Sequence, residues 1–221
     1  MKDEIDDYAG GMAGKVRLLS NTAAITDYLP EALAAFLNAH PAIDVELQER
    51  PSHAIVSQLL SQAADLGIVA DSADTSQLEA RPFRRDRLVL VTSRQSNSGR
   101  KRHLSFVDAL HQDFVGLGED SALQQHLDLQ AGRLGLRMRT RIRLRSFEAV
   151  CRMVEAGVGV AVVPAIAAER YAGAGRLRVL KLDDAWADRE LLICARRFSD
   201  LSAQALKLVE ALCDPGAALV S

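Results

Sequence analysis

The sequence predicts an α/β protein of two lobes, each a mainly parallel sheet flanked by helices. Three observations carry that expectation. Strand and helix patterns alternate along almost the whole chain; the first three strands are separated by two amphipathic helices, a βαβαβ order that calls for parallel pairing; and a polar, basic stretch at residues 93–103, containing Ser96-Asn97-Ser98-Gly99, interrupts the alternation as an exposed loop. With a return near Asp188, that interruption divides the chain into lobe I, residues 14–92 with 189–221, and lobe II, residues 93–188, with a cleft expected between them. Residues 1–13 are assigned to a linker tail or a recombinant start.

Residues 15–20 read as the opening strand. In the helix that follows, Leu29, Ala32, Leu33, Phe36 and Leu37 recur at i, i+3, i+4, i+7 and i+8 and so share one face. Pro30 lies near the helix start, where its missing N–H costs least, and His40-Pro41 ends it. Residues 43–49 alternate apolar and polar, which puts Ile43, Val45 and Leu47 on one side of a strand. Ser52 is placed to cap the next helix, whose stripe is Ile55, Val56, Leu59, Leu60 and Ala63; residues 65–69 follow as a short buried strand and residues 87–92 as another.

A second α/β series begins at Ser105. Ser105 with Asp108, and Ser121 with Gln124, have capping-box spacing, with a strand at residues 114–117 between them; the helix opened by Ser121 ends near Gly132 or Gly135. Residues 137–145 form a strand, Ser146 caps a helix running to Ala156, and residues 160–163 form a buried strand stopped by Pro164. After a strand at residues 177–182, residues 183–188 read as a polar loop carrying the only tryptophan, Trp186; residues 190–195 are a strand and residues 202–213 an amphipathic helix.

Composition narrows the function classes. A chain of 221 residues, 48% hydrophobic and 25% charged, fits a folded soluble protein with one large core or two small ones. A net charge of -2 gives no global basic field for nucleic acid. The longest apolar stretch, residues 158–168, is about half the ~20 residues a membrane span requires. The acidic first fourteen residues lack the apolar core of a secretory signal, so a cytoplasmic protein is expected. Cys151, Cys194 and Cys213 lie far apart with no CxxC and read as reduced packing residues. His40, His53, His103, His111 and His126 show no metal spacing, and most read as surface residues. Gly157-Val158-Gly159 lacks the third glycine of a dinucleotide fingerprint, and no phosphate loop or nucleophile elbow appears. Neither catalysis nor a metal or cofactor is expected.

One segment is more specific. Met153-Val154-Glu155-Ala156-Gly157-Val158-Gly159-Val160-Ala161-Val162-Val163-Pro164 resembles the "lVaaGlGialLP" pattern of LysR-type effector domains. Gly14-Lys15-Val16-Arg17-Leu18, Leu29-Pro30 with Phe36 and His40-Pro41, Leu60 with Asp65-Leu66-Gly67-Ile68, and Asp86-Arg87-Leu88-Val89-Leu90-Val91 resemble further family elements in the family's order. Physically, Gly157 suits a left-handed helix end, Gly159 a close turn-to-strand approach, and Pro164 a strand stop.

The resemblance implies a periplasmic-binding-protein type II fold that closes on a small effector, in a homodimer or homotetramer built through the first helix and its neighbouring strand. It also implies that DNA is contacted only through an amino-terminal winged helix-turn-helix, which these residues do not contain. The family's cleft positions fall on Ser20, Asn21, Thr22, Arg50, Ser52, Ser121, Ser146 and Phe147. Helix starts offer free N–H groups, so a carboxylate effector is expected, held by Thr22 and Ser146. Ser52, Ser121 and Ser146 also read as helix caps, and Glu119 with Asp120 reads either as a solvated pair or as the mark of a cationic or zwitterionic effector. A solute-binding protein of a transporter, or an enzyme on the same fold, are the alternative readings.

Arg137, Arg139, Arg141, Arg143 and Arg145 repeat at strict period two, so a strand projects all five guanidinium groups from one face. That face is read as solvated, with a subunit contact or an acidic partner as the alternative, and Arg145 is placed nearest the cleft.

Overall fold

Lys15 and Arg17 point outward while Val16 and Leu18 are fully buried, and this alternation sets the first strand, β1 (Gly14–Ser20), against a core. The computed structural model describes residues 14–95, 102–171 and 176–213. The expected linker tail and the Ser96-Asn97-Ser98-Gly99 part of the polar loop lie outside the described residues. Two compact units are present: one formed by the residues up to Arg84 together with those from Leu191 on, the other by Arg85–Glu190. The strands β4 (Glu79–Ser93) and β10 (Asp188–Ala195) carry the chain from one unit to the other.

In the first unit β1 pairs parallel with β2 (Ile43–Glu49) on one side and with β3 (Leu66–Ala70) on the other. Successive residues of β1 face opposite cores. Leu18 packs with Leu29, Leu33 and Phe36 of α1 (Leu29–Ala39) and with Leu208 and Leu212 of α7 (Ala203–Cys213). Leu19 packs with Ile55 and Leu59 of α2 (Ser52–Leu60). Helices on both faces explain why the end of β1 is apolar without alternation. β10 joins antiparallel to β3 through Leu191–Cys194.

The second unit is built around β4, which pairs antiparallel with β8 (Ala161–Pro164) and with β9 (Leu177–Leu182); β5 (His103–Leu104) adds parallel to β9. A two-stranded parallel sheet, β6 (Asp113–Leu117) with β7 (Arg139–Leu144), is tied in by a bridge from Phe114 to Val160. α3 (Phe106–Ala109), α4 (Ala122–Arg133), α5 (Phe147–Glu155) and α6 (Ala165–Tyr171) surround one core that includes Phe106, Phe114, Leu127, Val150 and Ala167. Both glycines of the family segment act as the sequence implied. Gly157 has φ +78 after α5, and a Cβ on Gly159 would stand 2.4 Å from the Asp113 carbonyl oxygen.

Several local expectations are corrected. Helical structure begins at Thr22, and Ala24–Tyr28 is a π-helical turn before α1. Within α1 the buried stripe is Leu29, Leu33 and Phe36, and Leu37, at its edge, is exposed. Ala63 is exposed because α2 ends at Leu60. Ser52 does not cap α2: Pro51 holds that position, and the Ser52 hydroxyl accepts from the Ala70 N–H at 3.1 Å. The polar loop around Trp186 is a 3-10 turn, Ala185–Ala187, tethered at its start. Asp184 accepts from the Phe106 N–H at 2.6 Å, and the Trp186 ring stands edge-on to Phe106 and His126, with centroids 5.1 and 5.3 Å away.

Candidate effector site

The sheet order β2-β1-β3 means that the chain winds to one side after β1 and to the other after β2. Ligands in open α/β sheets bind outside the carboxyl ends of strands at such a switch point, and here that point is the end of β1. Five of the expected site residues converge there. Ser20 is fully buried, and its carbonyl accepts from the Arg50 N–H at 2.9 Å, joining the ends of β1 and β2. Ser52 joins the end of β3 through Ala70. Asn21 caps the helix: its Oδ1 accepts from the Ala24 N–H at 3.0 Å and its carbonyl from the Ile25 N–H at 3.1 Å. The other half of its amide, Nδ2, is buried without a hydrogen-bond partner, although the residue is only 5% exposed. An orphaned donor of this kind costs free energy unless something accepts from it.

Thr22 is 7% exposed, and its Oγ1 donates to Glu49 Oε1 at 2.5 Å. Sequence reasoning missed Glu49. The signal was its place at the end of the second strand beside Arg50, and the β1–β2 register sets it opposite Ser20. Arg50 is exposed, with its guanidinium on the Glu49 carbonyl at 2.7 Å and on Gln48 Oε1 at 3.0 Å.

The remaining candidates lie in the second unit. Leu117 pairs with Leu144, and the Gly118 N–H donates to the Leu144 carbonyl at 3.0 Å, so α4 and α5 start from neighbouring parallel strand ends. Ser121 and Ser146 cap these helices, accepting from Gln124 N at 3.5 Å and from Ala149 N at 3.2 Å. The Gln124 amide does not complete a reciprocal box, because it bonds the Leu117 N–H and Asp128. Phe147, the first residue of α5, is 2% exposed, and its side chain belongs to the core of the second unit. Glu119 pairs with Arg143 at 3.4 Å.

The arginine row keeps its period, but β7 covers only its middle. Arg139 and Arg141 reach Asp113 at 3.0 and 3.8 Å, and Arg141 also donates to the Val158 carbonyl. Three of the five therefore have anionic partners within their own chain. Two charged groups escaped sequence reasoning. Arg189 meets Asp86 through Nε at 2.7 Å and through its terminal nitrogen at 2.6 Å, both almost wholly buried. His126 is not a surface residue: burial, then the charges of Arg189 and Arg133, push its pKa down to about 4. Among the described residues no cluster of His, Cys, Asp and Glu could hold a metal, and no helix is long and apolar enough to cross a membrane.

The profile of the family described as LysR substrate binding domain matches residues 9–214. The chain belongs to that family. Its curated LysR-type relatives include the HTH-type transcriptional regulator YofA of Bacillus subtilis, 22% identical over 184 residues, a match covering 83% of this chain and 62% of that protein. A probable RuBisCO transcriptional regulator of Phaeodactylum tricornutum is 22% identical over 193 residues, 85% of this chain and 63% of its own length. The chain thus spans less than two thirds of these relatives. Among solved structures, the Synechocystis PCC6803 CcmR regulatory domain in complex with 2-PG superposes with a TM-score of 0.71 at 22% identity, covering 90% of this chain and 96% of that one. The effector binding domain of QuiR in complex with shikimate gives 0.66 at 16% identity, covering 95% and 100%. At these identities the structural likeness shows the fold: the type II periplasmic-binding-like α/β architecture that the family resemblance implied.

Proposed function

We propose that this LysR substrate-binding domain senses a small-molecule effector at the carboxyl end of β1, and that it regulates transcription rather than catalysing a reaction. Family membership across residues 9–214 supports the regulatory role, and the solved relatives carrying 2-PG and shikimate support a small polar effector. The observation that carries the site is Asn21, whose Oδ1 is committed to the helix while its buried Nδ2 waits for an acceptor. The effector carries a carboxylate, an anion that a helix start such as the one at Asn21 favours. In the whole regulator, a cytoplasmic homodimer or homotetramer pairs through the α1 and β2 surface. DNA contact there belongs to a winged helix-turn-helix outside these residues.

A thermal-shift screen of small carboxylates, hydroxy acids, amino acids and aromatic metabolites identifies the effector, and calorimetry on Asn21→Ser tests the site. Serine keeps an oxygen to cap the helix and removes the amide nitrogen, its shorter hydroxyl lying outside the position of Nδ2. Losing a hydrogen bond to a charged group costs ~1.5–3 kcal/mol, a roughly tenfold to hundredfold weaker Kd. Unchanged affinity in a folded Asn21→Ser chain refutes this location.

A further inference from the structure

The hydroxyl that sequence reasoning assigned to an effector's carboxylate already has an anionic partner. Thr22 Oγ1 donates to Glu49 Oε1 at 2.5 Å, the short distance of a charge-assisted O–H···O bond. The β1–β2 register holds Glu49 opposite Ser20, one residue before Asn21, and the Arg50 N–H to Ser20 carbonyl bond fixes that alignment. Arg50 directs its guanidinium to the Glu49 carbonyl and to Gln48. A carboxylate therefore stands at the first residue of a helix, beside an orphaned buried amide, where the helix dipole favours an anion.

We infer that Glu49 is a specificity-determining residue of this site. Its carboxylate holds the position beside Thr22 that an effector's anionic group would otherwise take. The effector consequently presents a hydrogen-bond donor there, a hydroxyl or an ammonium, and carries its carboxylate elsewhere on the molecule. Hydroxy acids and amino acids have that chemistry; simple mono- and dicarboxylates do not. Two like charges held within a few ångströms repel each other, so a site built this way rejects the wrong ligand as well as attracting the right one. The inference rests on the effector site proposed above.

Glu49→Gln separates charge from structure, because the glutamine Oε1 still accepts from Thr22 and only the negative charge is removed. Benzoate and succinate, anions without a hydroxyl or ammonium donor, are titrated calorimetrically into the full chain, into Glu49→Gln and into Thr22→Val/Glu49→Gln. Glu49→Gln binds these probes at least about tenfold more tightly than the unaltered chain, and the gain disappears when the Thr22 hydroxyl is also removed. The melting temperature of Glu49→Gln without probe stays close to that of the unaltered chain. Equal affinity in Glu49→Gln and the unaltered chain, whether measurable or nil, overturns the inference. So does a gain that survives Thr22→Val. If Asn21→Ser weakens the effector while Glu49→Gln leaves the anion probes unchanged, the site stands and this inference falls. If Asn21→Ser has no effect, both fall.

Discussion

Replacing Arg189 by methionine removes the cation from a buried pair and leaves the Asp86 carboxylate inside the protein. The arginine and aspartate side chains are 5% and 0% exposed, and both contacts from Arg189 fall on the same oxygen, Oδ2. Asp86 Oδ1 is already buried without a partner, so no alternative donor stands ready to take over. Breaking a buried ion pair from one side costs about 3–5 kcal/mol. For a chain of this size each kcal/mol lowers the melting temperature by roughly 2–4 °C, so Arg189→Met is expected to melt about 6–20 °C lower. Arg189→Lys keeps the charge but not the two-nitrogen fork and falls between the two. Replacing both partners, Asp86→Leu/Arg189→Met, removes the desolvation penalty along with the attraction and recovers most of the loss. Urea unfolding followed by circular dichroism on all four members of the cycle gives the coupling energy. A loss below about 1 kcal/mol in Arg189→Met, or a double variant no more stable than the weaker single one, refutes the reasoning.

Three further outcomes follow from the same packing. His126 stays neutral in the folded chain down to about pH 4, held there by burial and by Arg189 and Arg133. The unfolded chain takes up that proton near pH 6.5, so stability falls as pH drops from 6.5 to 4, by up to about 3 kcal/mol. His126→Phe flattens this slope in unfolding measurements, and an unchanged slope contradicts the assignment. Burial pushes the Cys151 and Cys194 thiols up to about 11 and about 12, while Cys213 is raised by burial against the opposing pull of Arg81 and Arg84. In folded protein at pH 8 a thiol reagent therefore labels Cys213 first; prior labelling of Cys151 or Cys194 counts against the core. Gly157→Ala loses about 1–2 kcal/mol from its positive φ alone, since nothing lies within 4 Å of its added Cβ. Gly159→Ala loses more, because its Cβ collides with the Asp113 carbonyl that accepts from the Val160 N–H at 2.8 Å; the reverse order of stabilities refutes the geometry.

What the sequence made legible was what a short window contains. Ser105, Ser121 and Ser146 cap their helices as read, because a cap is a contact between residues three apart. Gly157 was legible because a helix end selects for positive φ on its own. Ser52 shows where this stops. Its hydroxyl had a helix beginning beside it, yet it bonds the N–H of Ala70, eighteen residues on, once the sheet brings the ends of β1, β2 and β3 together. α6 is not legible in the sequence because Pro164 reads as a strand stop, although proline at a strand end is also a good entrance to a helix. Asp86 and Arg189 are 103 residues apart, and no periodicity in either strand marks one as the other's partner.

The candidate site shows the same division of information, and its consequence is chemical. Ser20, Asn21, Thr22, Arg50 and Ser52 could be named from a family pattern, but their roles could not, because a role is set by what each polar atom meets. Asn21 divides its amide between a helix cap and an unanswered donor; Thr22 gives its hydroxyl to a carboxylate 27 residues away. The Asn21 arrangement runs against the preference for fully satisfied buried polar groups, and conflicts of that kind concentrate at functional sites. A helix start that needed only stability could have been closed by a serine cap, as at Ser146. Here an orphaned donor and a half-buried carboxylate are kept side by side instead. That pairing, a donor looking for an acceptor next to an acceptor that excludes anions, is complementary to a ligand bearing both kinds of group.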